Sequence, residues 1–347
     1  MTGQERGPWA ILVAILLIGL GLASAWSWNE MQEHLDRPLQ LAGTSVHYTV
    51  VPGASIGSIS RDLTLADILT EPGYLVIAAR LSGKAGRIQA GEYALTQGLT
   101  PRRLLDRMVE GRVVQHRLTL IEGWSFDAVR SALAAHPKVK QTLDGLCRAE
   151  VMARLSANAS DPEGRFYPDT YRFPAGTSDV AILRMAEKRM DRKLARAWAR
   201  RAPGLPYRRP YEALVMASII EKEATAAAER PAIAGVLVRR LQRGMPLQTD
   251  PSVIYALGAR FDGDLRRSDL DIESPYNTYR HAGLPPTPIA MPGEASLHAA
   301  LHPAGGDTLY FVAKGDGHHH FSATLEEHNK AVAVYQIARP QVQDSSR

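Results

Sequence analysis

Residues 214–224 read LVMASIIEKEA, and this stretch decides the fold expected for the larger part of the chain. Its side chains are apolar on nearly every face of a helix until Glu221. A helix that is hydrophobic all round has to be buried. The sequence therefore predicts a central, buried helix in a mainly helical domain.

Two glutamates close this helix. Glu221 and Glu223 are two positions apart, and at about 100° per residue they project to roughly opposite faces. Glu223 shares its face with Met216, Ile219 and Ile220. A carboxyl among aliphatic side chains loses solvation, so its pKa rises toward the value that a general acid needs near neutral pH. We predict that Glu223 is a catalytic acid/base. The alternative is a helix end that simply emerges into water.

Polar and aromatic residues C-terminal to this helix are candidates for binding a sugar. The segment LQTDPSVIY covers residues 247–255, and YNTY covers residues 276–279. An amide between tyrosines suits stacking on a pyranose and a hydrogen bond to an acetamido group. The alternatives are a helix cap at Asp250-Pro251 and ordinary loop content. The predicted substrate-binding residues are Gln248, Thr249, Asp250, Tyr255, Tyr276, Asn277, Thr278, Tyr279 and His320.

The N-terminus predicts a membrane anchor. No charged residue occurs over residues 7–29, and tryptophans bracket the apolar run. About 20 apolar residues cross a hydrocarbon core of roughly 30 Å. Indole rings favour the membrane interface, and Arg6 favours a cytoplasmic start. We expect a cytoplasmic tail over residues 1–8 and a transmembrane helix over 9–28. A cleaved signal peptide is the alternative. Both place the remaining chain outside the cytoplasm and exclude nucleic acid as a partner.

Composition narrows the chemistry. Hydrophobic residues make up 45% of the 347-residue chain and charged residues 22%, which is typical of a globular protein. The net charge of +5 suits an anionic partner without choosing one. The single cysteine, Cys147, excludes an internal disulfide and a cysteine-based zinc site. Adjacent histidines such as those at 318–320 rarely point at one ion, so we expect no metal and no cofactor.

The order of expected elements gives an α+β fold in several parts. A spacer is expected over residues 29–43. Strand-like VHYTVV, a helix capped by Ser55, a second helix and a further strand follow, then a helix that starts at Thr100-Pro101. We therefore expect a small α/β domain over residues 44–117. A mainly helical domain over 118–340 and a tail over 341–347 complete the chain.

Several motifs of the larger domain, taken in order, resemble one family. They are EGRFYPDTYRF (163–173), MASIIEKEA (216–224), RLQRGMPLQTDPSVIYALG (240–258), SPYNTYRHAGLPPTPIAMPG (274–293), LHPAGGDTLYFVAKGDGHHHF (301–321) and HNKAV (328–332). This set resembles the endolytic murein transglycosylases, also called MltG- or YceG-like. In addition, YTVVPGASIGSIS (48–60) is similar to the start of a LysM module, a glycan-binding βααβ unit.

The resemblance implies a fold and a reaction. The family combines a transmembrane helix, a LysM-like domain and a lytic-transglycosylase-like catalytic domain, and its catalytic glutamate maps to Glu223. Such an enzyme cleaves the MurNAc–GlcNAc β-1,4 bond of nascent glycan strands with formation of 1,6-anhydroMurNAc, which terminates strand elongation. The resemblance also implies a single-pass protein of the bacterial inner membrane with a periplasmic catalytic domain. The implied partners are peptidoglycan glycan strands, the inner membrane and peptidoglycan synthases.

Two other functions stay open on the sequence. One is a hydrolysing muramidase, in which Glu223 works with Glu221, Asp250 or another acid to activate water. The other is a non-catalytic LysM-type protein that binds peptidoglycan or helps its assembly.

Overall fold

The computed structural model describes residues 8–155 and 161–337 and divides into two compact units, Met1–His116 and Arg117–Arg347. The chain mixes helices and strands, an α+β composition. Residues 1–7 of the predicted cytoplasmic tail, residues 338–340 and the predicted C-terminal tail lie outside the described residues.

The first unit joins one long helix to a small α/β body. Its described elements are α1 (Pro8–Asp36), β1 (Ser45–Val50), α2 (Ile56–Leu65), α3 (Pro72–Leu81), β2 (Gly91–Thr96) and α4 (Pro101–Glu110). Strands β1 and β2 are antiparallel, in a register that runs from Ser45 opposite Thr96 to Val50 opposite Gly91. Ser55 and Thr100 cap α2 and α4 as predicted, each accepting a hydrogen bond from a backbone N–H of the first turn. Buried side chains from both helices and from β2 form the core of this body, including Ile59, Leu63, Tyr93, Leu95 and Leu104.

Helix α1 is long and apolar enough to cross a membrane, and its apolar part is not buried by the protein. It does not stop where the transmembrane segment was predicted to end, but continues to Asp36. Met31 and Leu35 are buried in the core of the first unit, and the Arg102 guanidinium donates to Asp36 at 2.8 Å. Residues 29–36 of the expected spacer are therefore helical. Packing of two apolar side chains one turn apart extends the helix.

The second unit is mainly helical. Its described elements, of which the first begins at the unit boundary, are β3 (Gln115–Thr119), α5 (Phe126–Ala135), α6 (Arg148–Leu155), β4 (Thr170–Pro174), α7 (Asp179–Ala199), α8 (Pro210–Glu223), α9 (Arg230–Gln242), α10 (Asp250–Leu257), α11 (Glu294–Leu301), β5 (Tyr310–Ala313), β6 (His319–Ser322) and α12 (Leu325–Val332). Strand β3 pairs with β4, and β5 pairs antiparallel with β6. A π-helical turn, Ala333–Ile337, follows α12.

Helix α8 is the central helix that its sequence predicts. Every residue from Ala213 to Ile220 is buried, and the helix packs against α7, α9, α10 and α11. Pro210 starts it at a position where no backbone N–H is needed. The helix ends at Glu223, because Ala224 takes an extended conformation.

Two further elements of this unit follow from their local sequence. Strand β4 alternates, and its side chains Tyr171 and Phe173 are buried. Pro231 lies in the first turn of α9, where proline is tolerated.

Candidate functional site

A cleft of about 590 Å³ opens in the second unit at the C-terminal end of α8. Glu223 forms part of its wall, together with the loop before α10, strands β5 and β6, and α12. The polar and aromatic side chains that line it are Glu223, Arg240, Gln248, Asp250, Arg266, Arg267, Tyr279, Tyr310, Phe311, His319, His328, Asn329 and Gln336.

Glu223 lies half-buried in the cleft as the last residue of α8. Burial raises the pKa of its carboxyl from 4.5 to about 8, and the negative charge of Asp250 adds to the rise. Across residues 8–155 and 161–337, no hydrogen bond or ion pair offsets this loss of solvation. The carboxyl is therefore protonated at neutral pH and available to donate a proton to a ligand in the cleft.

Glu221 projects away from the cleft, as the helical spacing predicts. Its side chain is only 6% exposed and forms an ion pair of 3.3 Å with Arg230. Its other oxygen accepts a hydrogen bond of 2.9 Å from the backbone N–H of Gly293. Glu221 thus joins α8 to the start of α9 and to the loop before α11, which is a structural task.

Gln248 enters the cleft wall in a strained conformation. Its φ of 54° lies in the left-handed region, which costs a residue other than glycine about 1 kcal/mol or more. Its N–H donates to the Thr278 carbonyl at 3.0 Å, and its side-chain oxygen accepts from Arg240 at 2.9 Å. These bonds offset the strain and fix the loop that leads to Asp250.

Asp250 and Tyr279 form a pair in the cleft. The Tyr279 hydroxyl donates to Asp250 Oδ1 at 2.5 Å. Burial and the charge of Asp250 raise the pKa of Tyr279, so the phenol keeps its proton. The structure therefore brings Gln248, Asp250 and Tyr279 together with Glu223 in one cleft.

Three other predicted binding residues are internal. Thr249 and Thr278 are buried and share a hydroxyl network with Ser252, in which the Ser252 and Thr278 oxygens are 2.8 Å apart. Asn277 is fully buried, and its amide nitrogen donates to two carbonyls of its own loop at 2.8 Å. Its oxygen accepts from the Tyr279 N–H. Both ends of the Asn277 amide thus have protein partners, and the structure does not bring Asn277 into the cleft wall.

The remaining two predicted tyrosines do not line the cleft. Tyr255 and Tyr276 pack against each other with ring centroids 4.9 Å apart. The Tyr255 hydroxyl donates at 3.0 Å to Glu163, a fully buried carboxylate that Arg148 also contacts at 3.3 Å. Burial raises the pKa of Glu163 to about 7. We had not predicted this cluster, since nothing in the local sequence shows that Glu163 faces inward.

The histidines near β6 do not all lie in the cleft. The exposed ring of His320 packs beside Tyr335, with centroids 5.7 Å apart, and does not line the cleft. The cleft is lined instead by His319 and by His328. Strand alternation could have separated His319 from its two neighbours, but not shown which face meets the cleft. No group of three or more potential metal ligands occurs in the part of the chain that the structure describes.

Comparison with known proteins places the chain in a family. The model described as "YceG-like family" matches residues 48–334. The chain belongs to the YceG-like family. A Bacillus subtilis (strain 168) relative named endolytic murein transglycosylase is 33% identical over 84% of this chain and 85% of its own length.

Further YceG-like relatives agree with this assignment. A Streptococcus pneumoniae (strain D39 / NCTC 7466) protein, also named endolytic murein transglycosylase, is 26% identical over 93% of this chain and 65% of its own length. The crystal structure of a YceG-like protein from Listeria monocytogenes is 32% identical and matches with a TM-score of 0.53, over 83% of this chain and 98% of that one. The fold of the chain is thus a YceG-like fold.

Proposed function

We propose that this chain is an endolytic peptidoglycan lytic transglycosylase with Glu223 as its catalytic acid/base. The observation that carries the proposal is a carboxyl in the wall of a cleft of about 590 Å³, for which no hydrogen-bond partner occurs among residues 8–155 and 161–337 and whose pKa is raised by burial to about 8. Relatives in the same family bear the name endolytic murein transglycosylase. The cleft is also large enough for sugar rings, since binding pockets commonly measure about 300–1,000 Å³.

In the proposed reaction Glu223 acts twice. Its carboxyl first protonates the oxygen of the MurNAc–GlcNAc β-1,4 bond, which breaks the bond to the muramyl C1. The resulting carboxylate then takes the proton of the muramyl C6 hydroxyl, whose oxygen attacks C1 and closes a 1,6-anhydro ring. The proton returns to Glu223, so one residue serves both steps. Gln248, Asp250 and Tyr279 supply the polar wall against which the sugar is held.

The alternative reaction is hydrolysis, because a second carboxyl group, Asp250, lies in the same cleft. Inverting and retaining glycosidases use two carboxyl groups, one as acid and one as base or nucleophile. Asp250 could in that case activate water, and the product would be a reducing sugar. One oxygen of Asp250 already accepts the Tyr279 hydroxyl, which favours a supporting role for this residue.

Residues 44–117, of which all but the last belong to the first unit, are proposed to form a LysM-like glycan-binding domain. Its order of strand, two helices and strand, with β1 and β2 antiparallel, supports this proposal. The catalytic domain is proposed to cover residues 118–340. A protein that only bound glycan through the first unit would need no raised pKa in the second.

Helix α1 is proposed to anchor the chain in the bacterial inner membrane as a single span, with the residues that follow the span in the periplasm. The apolar length of the helix and the tryptophans at its ends support a membrane span. The basic Arg6 supports a cytoplasmic N-terminus. Cleavage close to the membrane would act on nascent strands. It would terminate their elongation, with peptidoglycan synthases as partners.

The test compares purified wild type with Glu223→Gln on isolated peptidoglycan. We expect wild type to release anhydromuramyl ends and the variant to lose at least about a thousandfold in rate, since general acid catalysis contributes up to about 10⁴-fold. The matched control is Glu221→Gln, which changes a carboxyl two residues away on the opposite face. Cleavage by Glu223→Gln at the wild-type rate would disprove the site, and glycan binding without any cleavage by wild type would favour the non-catalytic alternative.

A further inference from the structure

Three consecutive histidines on and before β6 have different surroundings. His318 is about half exposed at the end of the hairpin, and the ring of His320 packs beside Tyr335. Only His319 lines the cleft that contains Glu223, with 9% of its side chain exposed. The Phe311 ring meets the His319 ring edge-on, with centroids 5.4 Å apart. The His319 ring is thus fixed in the cleft wall.

Glu229 holds one ring nitrogen of His319. Its Oε2 lies 2.7 Å from Nδ1, and both carboxylate oxygens accept from the His319 backbone N–H at 3.1 Å. Burial raises the pKa of Glu229, but the hydrogen bonds with His319 and His318 outweigh it, so the pKa is lowered and this group is ionised at neutral pH. An ionised carboxylate can only accept, so Nδ1 carries the proton in the tautomer that fits this hydrogen bond. The lone pair then lies on Nε2, for which no partner occurs in the described part of the chain.

This arrangement leaves His319 Nε2 as a hydrogen-bond acceptor. A carboxylate that binds Nδ1–H fixes both the tautomer and the orientation of an imidazole, and leaves Nε2 able to accept a proton or a hydrogen bond. A structural histidine in a core usually satisfies both nitrogens with protein groups. His319 satisfies one, in a cleft proposed to hold a polymer that is rich in hydroxyl groups.

We propose that His319 contacts the substrate, with Nε2 accepting a hydrogen bond from a hydroxyl of the bound sugar, and that Glu229 is its positioning residue. The inference rests on the proposed function, because it takes a sugar as the occupant of the cleft. In this proposal the sugar is contacted by two residues from different elements, His319 on β6 and Glu223 on α8.

Two substitutions at one position separate contact from structure. The amide of asparagine reaches the place of Nδ1 and can still donate to Glu229, but nothing replaces Nε2. The amide of glutamine reaches the place of Nε2 and offers an acceptor there, but loses the bond to Glu229. We therefore expect His319→Asn to lower kcat/KM by about 10- to 100-fold, the usual effect of one lost hydrogen bond to a substrate. His319→Gln should lose clearly less.

Glu229→Gln tests the positioning. Its amide N–H would donate to Nδ1 and move the ring proton to Nε2, which turns the acceptor into a donor. We expect a loss of about tenfold or more in kcat/KM, measured at a temperature at which the variant is fully folded. The matched control is Glu326→Gln, at an exposed carboxyl that does not line the cleft, which should keep wild-type kcat/KM.

The measurements use the full-length chain on isolated peptidoglycan, and binding of glycan strands to each variant in a Glu223→Gln background. If His319→Asn cleaves like wild type, or if His319→Gln is the more damaged of the two, His319 acts only in the fold and the inference is wrong. If wild type itself fails to cleave, the proposed function fails instead. The two failures are therefore distinguishable.

Discussion

Replacing Glu223 by glutamine should change how the stability of the second unit depends on pH. In the folded protein the Glu223 carboxyl keeps its proton up to about pH 8, whereas an unfolded chain loses it near 4.5. A pKa that is raised by folding contributes stability that is fully present below 4.5 and is lost as pH rises through about 8. Glutamine has no proton to lose, so the variant avoids this loss.

The size of the effect follows from the window between the two pKa values. Each pH unit inside it changes the free energy of unfolding by about 1.4 kcal/mol, which gives an upper limit of roughly 5 kcal/mol. Because Glu223 is half-buried in an open cleft, solvent screens part of this energy, and we expect about 2 kcal/mol between about pH 5 and about pH 9. For a unit as large as Arg117–Arg347 this corresponds to about 4–8 °C in Tm.

The assay is thermal unfolding of the full-length chain in detergent at about pH 5, 7 and 9. At each pH the Tm of wild type is subtracted from that of Glu223→Gln, so that any constant difference between acid and amide cancels. Glu326→Gln is the control, because the side chain of Glu326 on α12 is 79% exposed. The Tm advantage of Glu223→Gln should widen toward alkaline pH. A constant or narrowing difference would refute the raised pKa.

Three further outcomes are expected. Glu221→Gln removes the anionic partner of a buried ion pair and should cost about 3 kcal/mol in urea unfolding. The folded variant should still cleave, and loss of cleavage would show that Glu221 takes part in the chemistry. Asp250→Asn removes the charge that helps to raise the pKa of Glu223, so the alkaline limb of the pH–rate profile should move to lower pH. A limb that stays in place would mean that burial alone sets this pKa. Leu35→Ala empties a buried position beyond the membrane span and should cost the first unit about 3 kcal/mol by hydrogen exchange, whereas unchanged protection would contradict its packing.

For α8, the periodicity of apolar residues was enough to predict both the burial of the helix and the faces of its two glutamates. The apolar run predicts a buried helix, and the spacing of Glu221 and Glu223 separates a carboxyl in the cleft from one in an ion pair. The caps at Ser55 and Thr100 were equally readable, because capping depends on residues within one turn. The apolar residues Met31 and Leu35, one turn apart, also indicate that α1 continues beyond residue 28. The expectation of a spacer from residue 29 did not take this pair into account.

Contacts between distant segments were not predictable in the same way. Asn277 looked like a sugar-binding amide, but its partners are carbonyls of its own folded loop, and a linear sequence does not show how that loop closes. His320 was predicted to bind substrate, whereas His319 lines the cleft. Alternation along a strand defines two faces but does not show which one meets a cleft. The bond from Glu229 to His319 joins residues 90 positions apart, so only the fold reveals it.

The most direct test of ring closure by Glu223 is the origin of the oxygen in the new sugar end. Peptidoglycan is digested by the purified chain in water labelled with heavy oxygen, and the muramyl products are weighed by mass spectrometry. We predict ends that are lighter than a reducing sugar by one water and that carry no label. Labelled reducing ends would contradict the proposal, because they would show that water, and not the C6 hydroxyl, attacks the muramyl C1.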